Sequence, residues 1–264
     1  MGSPDRDLTA RPPSAPRTAR ERARAEITKE ILDAGRRQLA SAGAAGLSLR
    51  AIARDLGMVS SAVYRYVASR DELLTRLIID AYNSIGAAAE QREAAVNRAD
   101  LPARWSAVCQ TVRDWAIANP NEYALVYGSP VPGYVAPADT IGPASRVSNL
   151  LVSLLVDAAD RGLGPAAGRG LGPAAGLALA PAAGQGDDPA GRWREALAPV
   201  RAVIPAQVPD HAIQLGLMVW SAVFGVVSFE LFGQFHNVVA EGPGGREAFF
   251  AECVQRWAAQ LGLD

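Results

Sequence analysis

The chain has 264 residues, 49 % apolar but only 6 % aromatic, enough for a large core that must be aliphatic and alanine-rich, which favours helices over a β-sandwich. No run approaches the ~18 uninterrupted apolar residues of a membrane span, no apolar signal core opens the chain, and Cys109 and Cys253 lie far apart, so a reduced, cytoplasmic protein without a membrane partner is expected. The net charge of −1 is uneven: residues 1–76 carry 14 basic against 9 acidic side chains, a net of +5, and the rest 12 against 18, a net of −6, so only the front suits a polyanion.

Residues 1–18, rich in proline, arginine and small polar residues, are expected to form a disordered arm. Helix is predicted from about Ala19, with Ile27, Ile31 and Ala34 at i, i+4, i+7 on one apolar stripe. Gly43 and Gly46 end it. Ser48 is placed to cap a short helix whose Leu49, Ile52, Ala53 and Leu56 share a face, and Gly57 stands where a C-terminal glycine belongs. A second short helix is predicted over 59–66, and a longer one after Ser69, with Asp71 and Glu72 in its first turn.

Beyond residue 100 the apolar period stays helical, predicting helices over 102–118, 121–128, 141–161, 209–235 and 245–261. The glycines and prolines from Gly128 to Pro143 predict an extended loop. RGLGPAAG at 161–168 is repeated at 169–176 and decays into a Gly/Pro/Ala tract, expected to be a flexible linker over 161–192. Its Gly162, Gly164 and Ala167 imitate a dinucleotide loop, but no strand precedes them and prolines interrupt them, so no cofactor is expected there. Asp187 and Asp188 in the same tract read as solvated, and His211 and His236 have no metal-ligand spacing.

Two short helices joined at Gly57 and flanked by longer ones form a helix-turn-helix pattern. The first leaves Arg50 and Arg54 outside. The second opens on Ser60, Ser61 and Ala62, small enough to enter a major groove, and turns Val63 and Val67 inward while Tyr64, Arg65 and Tyr66 face the duplex. The stretch SLRAIARDLGMVSSAVYRYVASRDELL at 48–74 resembles the TetR family of transcriptional regulators. By that resemblance Ser48 caps a helix and touches phosphate, Tyr64 and Tyr66 grip the DNA backbone, and Arg70 replaces a usual lysine. Val59 stands where a capping serine is common, and Val67-Ala68 replace Phe-Pro. Farther on, Trp220-Ser-Ala-Val-Phe-Gly225 is similar to a Trp…His-Gly signature of one class of TetR C-terminal domains, with Phe224 in place of histidine.

The expectation is therefore an all-α chain: a disordered arm over 1–18, a three-helix DNA-binding domain over 19–68, and a helical effector-binding and dimerisation domain over 69–264. The resemblance implies a ligand-responsive regulator, a repressor that binds double-stranded operator DNA as a homodimer and is released by a small lipophilic effector. Dimerisation is expected through 141–161 and 209–235. Trp105, Cys109, Trp115, Tyr123, Tyr127, Met218, Trp220 and Phe224 are the candidate effector-binding residues, with Tyr123, Tyr127 and Gln110 as polar anchors. Each also has a plainer reading: the aromatics as core, Cys109 as a small buried residue, Arg17, Arg20, Arg22 and Arg24 as a solvated run rather than a minor-groove arm. A carrier protein with a vestigial DNA-binding domain is the rival function. No nucleophile elbow, HExxH or catalytic grouping occurs, so an enzyme is not expected.

Overall fold

A computed structural model describes residues 18–165, 195–240 and 244–264, and among them every regular element is helical. The expected arm except Thr18, and the expected linker beyond Pro165 with its Asp187 and Asp188, lie outside the described residues. The chain divides into two compact units between Leu77 and Ile78.

The first unit begins with α1 (Ala19–Ala42), started by a capping box that the sequence carries as Thr18-x-x-Glu21: Thr18 Oγ1 accepts from the Glu21 N–H at 3.1 Å, and the Glu21 carboxylate accepts from the Thr18 N–H at 3.0 Å. Helix α2 (Leu49–Asp55) is capped by Ser48, whose Oγ accepts from the Ala51 N–H. Gln38 Oε1 in turn accepts the Ser48 N–H at 3.0 Å, fixing the entry to α2 from α1. Gly57, at φ +64°, ends α2 in the left-handed region where a glycine avoids Cβ strain. Helix α3 (Ser60–Val63) is a single turn, continued to Val67 by hydrogen-bonded turns. Helix α4 (Arg70–Ala94) starts at Ser69, whose Oγ accepts from the Glu72 N–H, while the Ala68 N–H bonded to Glu72 holds that carboxyl below its ordinary range. Ile31, Ile52, Val63, Val67, Leu73 and Leu74 are fully buried here. Gly35 lets α1 approach α4, since a Cβ there would sit 3.3 Å from the methyls of Leu73 and Leu77.

The second unit starts within α4, whose Ile78, Ala81, Ile85 and Ala89 are buried. Helix α5 (Leu101–Ala118) is its axis and touches α6 (Pro120–Tyr127), α7 (Ile141–Asp160), α9 (Asp210–Leu231) and α10 (Gly245–Leu261). A short α8 (Ala198–Arg201) precedes α9. Polar ties cross this core. Trp105 Nε1 donates to the Val254 carbonyl at 2.8 Å. Arg104, 1 % exposed, is held between Glu93 and Asp157, each at 2.6 Å. Arg113 pairs with Glu230 through two hydrogen bonds of 2.8 and 2.7 Å, the bidentate geometry that suits guanidinium. Helix α9 ends at Leu231, earlier than its apolar pattern predicts, because Gly233 and Asn237 both turn into positive φ (+78° and +60°).

Helix α9 is long and apolar enough to cross a membrane by length and composition, and only 28 % of its most apolar window is buried. Val219, Val223 and Val227 face inward at i, i+4, i+8, while Met218, Phe229 and Phe232 remain 44–53 % exposed. Its inner face is thus core, and its outer face is uncovered in a single copy.

Candidate nucleic-acid interface and effector cavity

The surface of α2 and α3 is set by what the two helices bury. With Val63 and Val67 fully inward, the i+1 and i+2 positions point out, and Ser60, Ser61, Tyr64 and Arg65 are exposed beside Arg50 and Arg54. Ala62 and Ser48 are half-buried. Val59 supplies no side-chain cap to α3, as its apolar nature dictates. Tyr66 is half-buried because the Arg24 guanidinium lies over its ring, 5.2 Å from the centroid, and Arg24 Nη2 also donates to the Arg65 carbonyl at 3.0 Å. Arg24 therefore ties the start of α1 to the end of the α3 turn. Arg70 has a similar internal duty: its Nη2 donates to the Ala44 carbonyl at 2.9 Å, and the guanidinium lies 3.8 Å from Asp71.

In the second unit a cavity of about 360 Å³ opens among α7, α9 and the C-terminal residues. Leu151, Leu154 and Leu155 of α7, Ile213, Leu217 and Trp220 of α9, and Leu261 and Leu263 supply much of its wall, with Trp105. Among the described residues its polar side chains other than the tryptophans are Ser145, Ser148 and Asn149, all on α7, and none of the described lining residues is charged. That volume and apolar character fit a small-molecule pocket.

Beside Trp220 the aromatic rings continue as a separate cluster. Phe224 lies 5.2 Å from Trp220 and 4.3 Å from Tyr127, and Tyr127 lies 5.1 Å from Tyr123 and 5.8 Å from Tyr82, centroid to centroid. The Tyr123 hydroxyl donates to the Phe224 carbonyl at 3.1 Å and lies 2.9 Å from Ser228 Oγ. Burial raises the Tyr123 and Tyr127 hydroxyl pKa values above their ordinary value.

Residues 31–77 match the family described as bacterial regulatory proteins, tetR family, and residues 105–256 match the tetracyclin repressor-like C-terminal domain. The HTH-type transcriptional regulators Rv1816 of Mycobacterium tuberculosis and Mb1846 of Mycobacterium bovis are each 41 % identical over 232 residues, 85 % of this chain and 89 % of theirs. The chain belongs to the TetR family. Among solved structures, the regulatory protein SCO4313 is 30 % identical with a TM-score of 0.67, covering 92 % of this chain and all of that one. The fatty acid degradation regulator FadR from Bacillus halodurans, 13 % identical with a TM-score of 0.56 over 88 % of this chain and 98 % of its own, shares the fold. As a TetR-family member the chain is a DNA-binding transcriptional regulator and not an enzyme.

Within this TetR-family chain the expected DNA-facing residues fall into two groups. Arg50, Ser60, Ser61, Tyr64 and Arg65 are exposed on the first unit, whereas Ser48, Ala62, Tyr66 and Arg70 are partly covered, three of them through named intramolecular contacts. The expected effector residues scatter further. Trp105 and Trp220 line the cavity; Tyr123, Tyr127 and Phe224 form the adjacent aromatic cluster. Trp115 is buried with its Nε1 donating to Ser84 at 2.9 Å. Cys109 is 1 % exposed, and burial pushes its thiol well up, the state of an unreactive core cysteine. Met218 is on the surface, and Gln110 is half-buried away from the cavity lining. Sequence reasoning missed Ser145, Ser148 and Asn149, although their i, i+3, i+4 spacing places them on one side of the helix, a readable polar stripe.

Proposed function

We propose that the chain is a ligand-responsive repressor that acts in the cytoplasm, binds operator DNA as a homodimer, and is released when a small lipophilic molecule enters its second unit. The observation that carries this reading is the uncharged, largely aliphatic cavity of about 360 Å³ in a protein whose first unit is a helix-turn-helix. Tyr64, Arg65 and Arg50 meet phosphates, and the small start of α3 enters the groove.

The uncovered face of α9, with Met218, Phe229 and Phe232 exposed and Phe249 of α10 nearby in kind, supports a symmetric contact in which two copies bury each other's apolar stripe. The other helix expected there, α7, leaves only Ile141 among its large apolar side chains strongly exposed, so α9 is the better-supported contact. A two-fold dimer presents two recognition helices about 34 Å apart, one turn of B-DNA. An effector that binds one helix spacing more tightly than another lowers operator affinity by that differential free energy.

The test is fluorescence anisotropy with duplex DNA from the region upstream of the gene, followed by titration with lipophilic compounds. Binding of that DNA, and release by a compound that also alters Trp105 and Trp220 fluorescence, is the expected result. Compounds that occupy the cavity but leave operator affinity unchanged would refute the regulatory role of this cavity.

A further inference from the structure

The polar margin of the cavity offers more acceptors than donors. Ser145 Oγ donates to the Gly142 carbonyl at 2.9 Å, and Ser148 Oγ donates to the Ser145 carbonyl at 2.9 Å. Both hydroxyl protons are therefore committed to the helix backbone, and each hydroxyl retains only its acceptor lone pairs. Asn149 Nδ2 directs one N–H to Ser145 Oγ at 3.5 Å, which leaves its amide oxygen and its second N–H with capacity to spare. Three acceptors at i, i+3, i+4, with one spare Asn149 N–H, thus face a cavity that is otherwise hydrocarbon and indole among the described residues.

Among the described residues, the charged side chains beside the α7 and α8 lining are engaged elsewhere. Arg146, adjacent to Ser145, spends its guanidinium on Glu90, through Nε at 2.8 Å, and on Asn83 at 3.0 Å. Asp157, two residues beyond the last lining residue of α7, is engaged by Arg98 and Arg104. Arg201, next to the lining Val200, donates to the carbonyls of Ile204, Pro205 and Val208. A carboxylate, phosphate or ammonium seated in the cavity would lose water without gaining a counter-charge from any described lining residue, which is strongly unfavourable.

We infer that the cavity takes a neutral amphiphile, an aliphatic or alicyclic body with a hydrogen-bond-donating head, a hydroxyl or an amide N–H, seated on Ser145, Ser148 and Asn149. This rests on the reading of the cavity as the effector site and adds the class of molecule. A bare ester or ketone supplies only an acceptor and can use the second Asn149 N–H but neither serine, whereas an alcohol or amide can also donate to Ser145 or Ser148; an acid supplies a charge and meets no opposite charge among the described lining residues. The apolar body is held by Leu151, Leu155, Leu217 and Trp220, which set no preference among heads.

The experiment compares probes of one chain length: dodecan-1-ol, dodecanamide, methyl dodecanoate, dodecanoic acid and dodecylamine. Binding to the full-length protein at pH 7.5, below each probe's aggregation threshold, is read from Trp105 and Trp220 fluorescence and by calorimetry. The alcohol and amide are expected to bind about tenfold more tightly than the ester, as one hydrogen bond of about 1.4 kcal/mol requires, and the acid and amine more weakly still. In Ser148→Ala, a substitution that removes one oxygen from a half-buried site, the alcohol–ester gap should shrink while ester affinity stays unchanged. Equal binding of ester and alcohol, tighter binding of the acid or amine, or a gap unaltered in Ser148→Ala overturns the head-group assignment. Operator release is measured in parallel: the expected head preference without release would overturn the effector reading alone, and no binding by any probe would overturn both.

Discussion

The two units use the same cation in opposite ways. All but one of the chain's 26 basic residues are arginine, and in the first unit Arg50, Arg54 and Arg65 stand exposed around the α2–α3 surface. In the second unit Arg104 and Arg113 are withdrawn from water and fastened to carboxylates on other helices. An exposed arginine keeps its hydration and can exchange it for a phosphate; a buried one is a cross-link, and its value depends on every partner being present. Arginine content therefore says little about where a polyanion binds until the partner of each guanidinium is known. Arg24 and Arg70 make the same point inside the first unit, since both turn to backbone carbonyls.

The largest effect is expected where that contrast is sharpest. Arg104→Ala leaves Glu93 and Asp157 without their shared cation, and should cost about 3–5 kcal/mol, read as a lowered urea midpoint. A loss below about 1 kcal/mol would show that water enters and rehydrates the carboxylates. Next, Phe229→Asp places a charge on the uncovered face of α9. Sedimentation should report a monomer, and operator affinity should fall about a hundredfold or more through lost bivalency. A dimeric Phe229→Asp protein would remove this face from the proposed interface.

Smaller effects probe the exposed arginine surface. Tyr64→Ala should weaken operator binding roughly tenfold or more, through a lost phosphate contact and rim packing worth about 1–3 kcal/mol, with an unchanged helical circular dichroism spectrum. Wild-type affinity would exclude this tyrosine from the interface. Arg24→Ala should lower affinity only a few-fold, by loosening Tyr66 and the end of α3. Because Arg24 is a positioning residue here, the slope of log affinity against log salt should stay that of the wild type. A slope reduced by about one unit would instead mark Arg24 as a phosphate contact.

Much of the first unit was legible because its signals are local. Ser48 caps and Gly57 terminates within a few residues of where they stand, and the burial of Val63 and Val67 follows from helical period alone. Even so, the Thr18–Glu21 capping box stands at the edge of a proline- and arginine-rich stretch whose composition masks it, and the Arg24–Tyr66 contact spans more than forty residues, beyond the reach of any periodicity argument. The second unit was legible as helices and opaque as a site. Its cavity joins Trp105, Ser148, Trp220 and Leu263, and no spacing rule relates them. The aromatic residues that stood out by type, Tyr123, Tyr127 and Phe224, are drawn together by ring packing, while the polar margin comes from two serines and an asparagine that composition makes inconspicuous.

The helical class, the helix-turn-helix and the family are readable from the amino-acid order, because caps, glycines and a 3.6-residue period are written into neighbouring residues. That order also makes α9 apolar on nearly every side. Only the tertiary structure decided which part of α9 is core, which part lines a cavity and which part is left uncovered, since an apolar side chain looks the same whichever surface removes it from water. The same holds for each arginine: its charge is fixed by its chemistry, but its role is fixed by whether a carboxylate, a carbonyl or solvent lies at the end of the side chain.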